Sequence, residues 1–338
     1  MTRLSRKIEG KALITGASGF VGRNLKRALE GAGADVITIR RPASPPAREG
    51  RSVALRYDDV DALTRLMKDE KPDWVFHVAG ATNGVTYDDF VRANVMPTEN
   101  LLTALREAHP SLSRFVYVSS LAAFGPSSKR QPHVETNPRE PIEHYGRSKL
   151  EAEQRLEKLD GALPWTVIRP SGVYGPEDRE FFLLFREIEK RRNVFYGNRK
   201  RMFSLIYIDD CVRAMVDAAL SENTLGKGYF LDDGRPVDWE TFQGAIIDEV
   251  GKRPFTLDVP SFVMPVAAWG GELLAKLDGK PRLLNMQKLT MGEQDAWTCS
   301  SEAAKQDFGF TPEVDMHEGI RRTRAWYREQ GWFKSGPR

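Results

Sequence analysis

Short apolar runs alternate with amphipathic helical stretches through the first half of the chain. The apolar runs predict strands, and the stretches between them, whose apolar positions recur at helical spacing, predict helices. The predicted strands cover residues 12–15, 36–39, 75–78, 115–119 and 166–169, and the predicted helices cover residues 22–32, 60–68, 88–108 and 145–158. Strands and helices in this order are typical of an α/β protein with a doubly wound parallel sheet.

The pattern changes near Pro170. Helical and loop segments predominate beyond it, and only residues 204–208 and 229–231 have the apolar character of strands. We therefore expect residues 1–170 to form a first domain, which the later strands near residues 204–234 rejoin. Residues 171–338 would then form a smaller, mostly helical and discontinuous C-terminal domain.

A glycine-rich turn follows the first predicted strand. The segment TGASGFVG starts at Thr15, and a helical pattern begins where it ends. Gly16 permits the tight turn, Gly19 lets backbone amides approach a pyrophosphate, and Gly22 lets the helix lie close to the strand. This strand, turn and helix predict a Rossmann-type domain that binds a dinucleotide at the helix N-terminus. The turn residues expected to contact this cofactor are Gly16, Ser18, Gly19, Phe20, Val21 and Gly22.

The end of the second strand bears on the choice of cofactor. An acidic residue there would bind the ribose 2′-hydroxyl of NAD, but this strand ends in Arg40 and Arg41. Two guanidinium groups suit a 2′-phosphate, so the sequence favours NADP over NAD, unless both arginines point to solvent. Asp58 follows a short apolar strand, where it is either an acceptor for the adenine amino group or a solvated loop carboxylate.

A tyrosine and a lysine share one face of a predicted helix. Tyr145 and Lys149 stand four residues apart, and a nearby ammonium stabilises the phenolate that a tyrosine needs for proton exchange. Upstream, the strand over residues 116–118 ends in Ser119 and Ser120. Ligands bind at the carboxyl edge of a parallel sheet, so a serine hydroxyl is expected to lie near the tyrosine.

At this point the sequence resembles a known family, the extended short-chain dehydrogenase/reductases of the NAD-dependent epimerase/dehydratase group. The matching segments are TGASGFVG (15–22), FHVAGAT (76–82), NVMPT (94–98), VSSLAAFG (118–125), YGRSK (145–149) and IRPSGVYGP (168–176). The resemblance continues through YIDD (207–210) and FGFTP (308–312), and so covers nearly the whole chain.

The resemblance implies a role for each matching residue. Tyr145 would be the acid/base, Lys149 would lower its pKa and hold the nicotinamide ribose, and Ser120 would polarise the substrate oxygen. Asn94 would support the site through water or backbone contacts. The remaining cofactor contacts implied by the family are Ala79, Gly80, Ala81, Pro170 and Val173. Relatives commonly form homodimers through the helices that correspond here to residues 88–108 and 145–158.

The family includes several reactions. Its dehydratases carry an Asp-Glu pair after the active-site hydroxyl residue, and because Leu121 and Ala122 stand there, sugar 4,6-dehydration is disfavoured. The leading hypothesis is an oxidoreductase that interconverts a secondary alcohol and a ketone. The alternatives are a nucleotide-sugar 4-epimerase or reductase with tightly held NAD and, least favoured, a non-catalytic dinucleotide-binding protein. Residues 201–210 and 295–314 resemble the 3β-hydroxysteroid dehydrogenase and dihydroflavonol reductase branch.

Two groups of residues bear on the substrate. The aromatic residues of the C-terminal domain either line an apolar pocket or belong to its core; they are Phe181, Phe182, Phe185, Phe195, Tyr196 and Trp269. A basic cluster either holds a nucleotide diphosphate or is a solvated helix end; it comprises Lys190, Arg191, Arg192, Arg199, Lys200 and Arg201.

Composition excludes several other classes of protein. The formal net charge of the 338 residues is only +3, which argues against nucleic-acid binding and favours a small-molecule substrate. The most apolar later stretch, residues 262–271, is too short and too interrupted to span a membrane. The two cysteines, Cys211 and Cys299, are far apart and lack neighbours at metal-ligand spacing. We therefore expect no metal site and a reducing, cytoplasmic location.

Overall fold

The computed structural model describes residues 4, 6–43, 50–129, 131–159, 161–259, 263–279, 282 and 285–337. The strands are β1 (Lys11–Thr15), β2 (Asp35–Arg40), β3 (Arg51–Ala54), β4 (Trp74–His77), β5 (Arg114–Val118), β6 (Trp165–Pro170), β7 (Gly172–Tyr174), β8 (Arg192–Tyr196), β9 (Met202–Phe203), β10 (Leu205–Tyr207), β11 (Lys227–Leu231), β12 (Val237–Asp238), β13 (Phe255–Val259) and β14 (Ala296–Trp297).

The helices alternate with these strands. They are α1 (Phe20–Gly31), α2 (Val60–Glu70), α3 (Tyr87–Phe90), α4 (Met96–Ala108), α5 (His144–Glu157), α6 (Glu180–Glu189), α7 (Ile208–Leu220), α8 (Trp239–Val250), α9 (Val263–Asp278), α10 (Met286–Glu293), α11 (Glu302–Phe308), α12 (Met316–Glu329) and α13 (Trp332–Ser335). A π-helical turn, Val91–Val95, joins α3 to α4, and short 3₁₀ turns cover Leu121–Ala123 and Glu222–Thr224.

Seven parallel strands form the central sheet, in the order β3-β2-β1-β4-β5-β6-β11. Side chains of β1 alternate between two apolar cores: Ala12 and Ile14 pack with α1 and α7, whereas Leu13 packs with α2, α4 and α5. Helices therefore cover both faces of the sheet, as its apolar strands require. The predicted Rossmann-type, doubly wound fold is confirmed.

Three smaller sheets lie beyond β6. β7 pairs with β10, β9 lies between β12 and β14, and β8 pairs with β13. Helices make up most of the remaining C-terminal region. Among the described residues, none of the helices combines the length and the hydropathy that a bilayer crossing requires.

The two strands predicted after residue 170 belong to different sheets. Residues 229–231 lie in β11, which extends the central sheet beside β6. Residues 205–207 form β10, which pairs with β7 instead, and α7 begins directly afterwards at Ile208. The edge of β6 is already occupied by β11, so β10 cannot join the central sheet there. The domain boundary at residue 170 stays a prediction.

Candidate active site

The glycine-rich turn between β1 and α1 is closely packed on one side and open on the other. A Cβ atom on Gly16, whose φ is 72°, would lie 2.6 Å from the Ala79 nitrogen, and one on Gly22 would lie 2.8 Å from the Gly16 carbonyl carbon. At Gly19, the N-cap of α1, the corresponding contact is 3.3 Å from the Gly16 oxygen. Glycine is thus required at both packed positions, while Gly19 leaves room beside the helix N-terminus.

This N-terminus suits an anion. The first amides of a helix have no intrahelical acceptor, and no side chain caps those of α1. The first turn also has no acidic residue that would repel an anion. Ser18 and Gly19 are exposed, Phe20 and Val21 are half-buried, and Gly22 is buried. The turn therefore fits the pyrophosphate of a dinucleotide.

A buried chain of hydrogen bonds connects this turn to α4. The Ala79 amide donates to the Thr15 hydroxyl (3.1 Å), which lies 2.6 Å from Nδ1 of His77. Nε2 of His77 lies 2.9 Å from the Thr98 hydroxyl, which donates to the Asn94 carbonyl (2.7 Å). Because Thr98 gives its proton to Asn94, His77 must donate from Nε2 and accept at Nδ1. Burial first, and then the charge of Lys149, lower the pKa of His77 to about 3.

Asn94 lies within the π-helical turn, a feature that often marks functional sites. Its Oδ1 accepts from the Ala81 amide (2.7 Å), and its Nδ2 donates to the Ala81 carbonyl (3.1 Å) and to the Ser148 hydroxyl (2.8 Å). A Cβ on Gly80 would lie 3.0 Å from Asn94 Oδ1 and 3.2 Å from Lys149 Nζ. Residues 79–81 therefore lie directly against Asn94 and Lys149.

The start of α5 lies on the turn that follows β5. Glu143, the N-cap, accepts hydrogen bonds from the amides of Tyr145 and Gly146, both at 2.5 Å. A Cβ on Gly146 would lie 2.8 Å from the Ala122 carbonyl carbon, so only glycine allows this approach. Ser120 caps the same turn by accepting from the Ala122 amide at 3.2 Å.

Ser120, Tyr145 and Lys149 meet at this point. The Ser120 side chain is close enough to the Tyr145 hydroxyl to act against a rise in its pKa, but burial outweighs this effect and raises the pKa of Tyr145 above its usual value near 10. Lys149 Nζ donates to the Val118 carbonyl (2.8 Å) and lies 5.9 Å from the centre of the Tyr145 ring. Burial lowers the pKa of Lys149 to about 8, an effect that Glu153 opposes. The arrangement is a neutral phenol held beside a buried, titratable amine.

Two buried hydroxyls lie just beyond the carboxyl ends of β5 and β6, which are neighbouring strands. Ser119 follows β5, and Ser171 follows Pro170 at the end of β6 and precedes Val173 in β7. Within the described part of the chain, neither hydroxyl oxygen has a hydrogen-bond partner. Buried polar groups are usually satisfied, so their position fits a ligand with polar groups, such as a nicotinamide carboxamide.

Arg40, Arg41 and Asp58 lie outside the buried group. Arg40 ends β2 and donates to the carbonyls of Arg41 and Pro42, each at 3.4 Å, while the Arg41 side chain is exposed. The exposed Asp58 accepts from Arg56 Nε at 2.9 Å. The structure thus brings both arginines to the carboxyl end of β2 and pairs Asp58 with a cation.

The aromatic residues of the C-terminal region separate into two sets. Phe182, Phe185 and Phe195 are buried core residues, and Phe181 packs edge-on against Phe242. Two more are exposed to solvent, Tyr196 and Trp269. Of the two alternatives for this group, Phe182, Phe185 and Phe195 take the core position, whereas Tyr196 and Trp269 do not belong to the core.

Much of the basic cluster is already paired. Arg192 bonds Glu187 (2.5 Å), and Lys200 bonds Asp238 (3.1 Å) and Glu240 (2.7 Å). The other two paired members are Arg199, bonded to Asp258, and Arg201, which donates to the carbonyls of Tyr196 and Asn198. The two remaining members of the basic cluster, Lys190 and Arg191, are exposed.

Five residues that support the site received no role from the sequence: His77, Glu143, Gly146, Glu153 and Arg169. Arg169 on β6 forms a buried ion pair with Glu153 on α5 (2.9 Å). The signal for Arg169 in the sequence is a charged residue inside the apolar run TVIRP. The sequence does not reveal its partner, because Glu153 lies on another element. No group of three or more His, Cys, Asp or Glu side chains in the described ranges is arranged to hold a metal ion.

Comparison with known proteins connects this geometry to a family. The sequence profile of the NAD dependent epimerase/dehydratase family matches residues 12–229. A 2-alkyl-3-oxoalkanoate reductase of Stenotrophomonas maltophilia is 30% identical, over 93% of this chain and 98% of its own. A probable dTDP-glucose 4,6-dehydratase of Sinorhizobium fredii is 24% identical, over 96% of this chain and 94% of its own.

A similar fold occurs in the crystal structure of UDP-glucose 4-epimerase from Thermotoga maritima. The TM-score is 0.77 at 21% identity, with 95% of this chain and 99% of that chain covered. At this identity the likeness concerns the fold alone.

Proposed function

Because the chain belongs to the NAD dependent epimerase/dehydratase family, we propose that it is an NADP(H)-dependent oxidoreductase that interconverts a secondary alcohol and a ketone. The observation that carries the proposal is the group formed by the half-buried Ser120 and Tyr145 and the buried Lys149 at the carboxyl edge of the central sheet. The nicotinamide, when bound, supplies or accepts the hydride.

In the direction of reduction, the chain's own residues move the proton. Ser120 donates a hydrogen bond to the ketone oxygen, and Tyr145 donates its phenolic proton to the same oxygen. Burial keeps the phenol of Tyr145 protonated before the reaction by raising its pKa. Lys149, which the Val118 carbonyl holds near the tyrosine ring, stabilises the phenolate that forms.

The proposed cofactor site has three parts. The turn and the N-terminus of α1 bind the pyrophosphate through the backbone of residues 16–22. Arg40 and Arg41 would hold the 2′-phosphate of NADP, and Asp58, which now accepts from Arg56, would accept from the adenine amino group. The residues that would hold the nicotinamide end are Ala79, Gly80, Ala81, Asn94, Lys149, Pro170 and Val173.

We propose an apolar ketone as the substrate class, such as a 2-alkyl-3-oxo acid. The named activity of the Stenotrophomonas relative supports this class. Leu121 and Ala122 are buried and apolar where a sugar dehydratase would need a carboxylate base. Ion pairs already engage Arg192, Arg199 and Lys200 of the basic cluster, which argues against a nucleotide diphosphate there.

The test is NADPH oxidation by the full chain with a 2-alkyl-3-oxo acid. Tyr145→Phe should lower kcat by about 10² to 10⁴, because proton donation contributes this much. The matched control, Tyr196→Phe, removes an exposed hydroxyl outside the site and should retain full activity. Arg41→Gln should raise KM for NADPH about tenfold and leave that for NADH unchanged.

Full activity of Tyr145→Phe would reject the mechanism. NAD that remains bound through purification, together with thermal stabilisation by UDP-glucose, would instead support the nucleotide-sugar 4-epimerase alternative.

We also propose a homodimer in the cytoplasm. By resemblance, its interface would be formed by residues 88–108 and 145–158, and light scattering at micromolar concentration that gives the monomer mass would contradict it. The location is supported by Cys211 and Cys299, which are both buried free thiols.

A further inference from the structure

The helix α9 exposes the residues that a surface helix normally buries. Its buried side chains include the small Ala268 and Ala275. Large apolar residues are exposed instead, and four of them are Val266 (71%), Trp269 (65%), Leu273 (46%) and Leu277 (76%). Spaced by three or four residues, these positions form a single stripe along the helix.

The strand pair β8 and β13 has a second exposed apolar face. In the parallel register, Phe255 lies opposite Arg192, Leu257 opposite Val194, and Val259 opposite Tyr196, and paired residues point to the same face. Phe255 is 73% exposed, Tyr196 53% and Leu257 48%. Residues Asn193 and Phe195, on the opposite face, are buried.

These two features are close in the chain. β13 ends at Val259 and α9 begins at Val263, so the two ends are at most about 14 Å apart. We call the exposed residues of both elements the apolar surface; they are Tyr196, Phe255, Leu257, Val266, Trp269, Leu273 and Leu277. Large exposed apolar patches on a soluble protein mark sites of interaction with a protein or a membrane.

Basic residues border the sheet part of the apolar surface. Lys190 and Arg191 precede β8, and Lys252 and Arg253 precede β13, and all four are exposed. Because the two strands are parallel, both basic pairs lie at the same end of the strand pair, where the strands begin. We call these four residues the basic edge.

Several carboxylates lie near the basic edge, among them Glu249, which pairs with Arg324 (3.3 Å), and the exposed Asp248. Glu187 pairs with Arg192, and Glu189 pairs with Arg324 (3.2 Å) and lies 4.0 Å from Lys252. The edge therefore keeps an excess of positive charge, which is complementary to an anionic surface.

We propose that the apolar surface and the basic edge bind the protein peripherally to an anionic phospholipid bilayer. The stripe of α9 would lie at the boundary between headgroups and acyl chains, where tryptophan is enriched, and the basic edge would contact lipid phosphates. Such binding would bring the enzyme to a ketone dissolved in lipid. It does not depend on the proposed reaction, because docking requires no turnover.

The first experiment is flotation of the full chain with phospholipid vesicles. Vesicles of phosphatidylcholine containing a minority of phosphatidylglycerol should carry the protein, and vesicles of phosphatidylcholine alone should carry much less. Added salt should weaken the binding by screening the charges. Absence of flotation with both compositions overturns the proposal.

Matched variants test the stripe without changing charge. The double variant Leu273→Gln, Leu277→Gln should lose most vesicle binding. Leu225→Gln changes another exposed leucine (49%) outside the apolar surface and should bind like the unmodified chain. Equal binding by both variants contradicts a role for the stripe.

The basic edge and the tryptophan give two further readouts. Each of Arg191→Gln and Arg253→Gln should weaken binding to anionic vesicles about fivefold. Brominated lipids should quench tryptophan fluorescence less in Trp269→Phe than in the unmodified chain. Unchanged quenching would show that α9 does not enter the bilayer.

Two outcomes separate this proposal from the others. If light scattering shows that the leucine double variant dissociates an oligomer, and vesicles never bind, a second copy covers the apolar surface and the proposal is wrong. If a water-soluble ketone is reduced through Tyr145 but vesicles do not bind, the proposed reaction stands and only the docking fails.

Discussion

The central sheet and the strand pair of the C-terminal region bury their residues differently. Every residue of β5 and β6 is buried, whereas four residues of β13 are exposed and the fifth is half-buried. Helices cover both faces of the central sheet, but one face of the pair β8 and β13 is open. The first region can hold charged groups away from water, and the second remains available to a partner.

The same difference affects the ion pairs. Glu153 is fully buried between Arg169 and Arg139, at 2.9 and 3.1 Å. Glu318 on α12 binds Arg321 and Arg322 at 2.6 Å in each case, but both arginines are exposed. Removing one partner of a buried pair leaves an uncompensated charge, while water compensates at the surface. Short distances alone therefore do not reveal which pair stabilises the fold.

The largest effect is expected from Glu153→Gln. The variant leaves the Arg169 guanidinium, only 7% exposed, without its carboxylate, which should lower the free energy of unfolding by about 3–5 kcal/mol. The surface control, Glu318→Gln, should lose less than about 1 kcal/mol. Urea unfolding of both variants measures the difference in the free energy of unfolding. The comparison requires that this free energy depends on urea concentration with the same slope in both variants. Similar losses would mean that burial does not distinguish these pairs.

A second comparison concerns glycine in the two regions. In Gly22→Ala the new Cβ meets the backbone of Gly16, so we expect a loss of about 3 kcal/mol, the upper end of the overpacking range, and weaker dinucleotide binding. In Gly244→Ala, within α8, the new Cβ meets nothing within 4 Å. Because alanine favours helix, this control should gain about 0.5–1 kcal/mol.

Thermal unfolding with and without NADP measures both glycine variants. An unchanged Gly22→Ala protein would show that the turn can move away from α1. The affinity of the Gly22→Ala variant for NADP would then test how closely the pyrophosphate approaches the turn.

The sequence predicted features that depend on local pattern. The strands of the central sheet, the glycine turn and the shared face of Tyr145 and Lys149 all follow from spacing within a few residues. The break between α3 and α4 also had a local signal, because Pro97 lies in the first turn of α4, where a helix tolerates proline. The continuous helix predicted over residues 88–108 overlooked it.

The remaining features depend on contacts between distant segments. Nothing near Arg169 in the sequence reveals that Glu153 lies beside it, and nothing near His77 reveals Thr15 and Thr98. The apolar stretch before Gly270 also gives no sign that α9 buries its alanines and exposes its larger residues. Periodicity predicts an apolar stripe but not what covers it.

The smallest of these effects concerns pH and His77. Its pKa of about 3 in the folded chain lies below the value of about 6.5 expected when unfolded. Between these values the unfolded chain binds a proton that the folded chain does not, so stability falls as pH is lowered. At pH 5 the expected loss is about 2 kcal/mol, at roughly 1.4 kcal/mol per pH unit.

His77→Gln should remove this dependence, while His317→Gln, which changes an exposed histidine, should retain it. Burial raises the pKa of Asp178 to about 7 and that of Asp233 to about 6. These carboxyls bind protons more readily when folded, so they stabilise the fold as pH is lowered and oppose His77. The quantity to measure is therefore the difference in urea midpoint between each variant and the unmodified chain, from pH 7.5 to pH 5. If that difference is constant for His77→Gln, the histidine is not held neutral by its buried position.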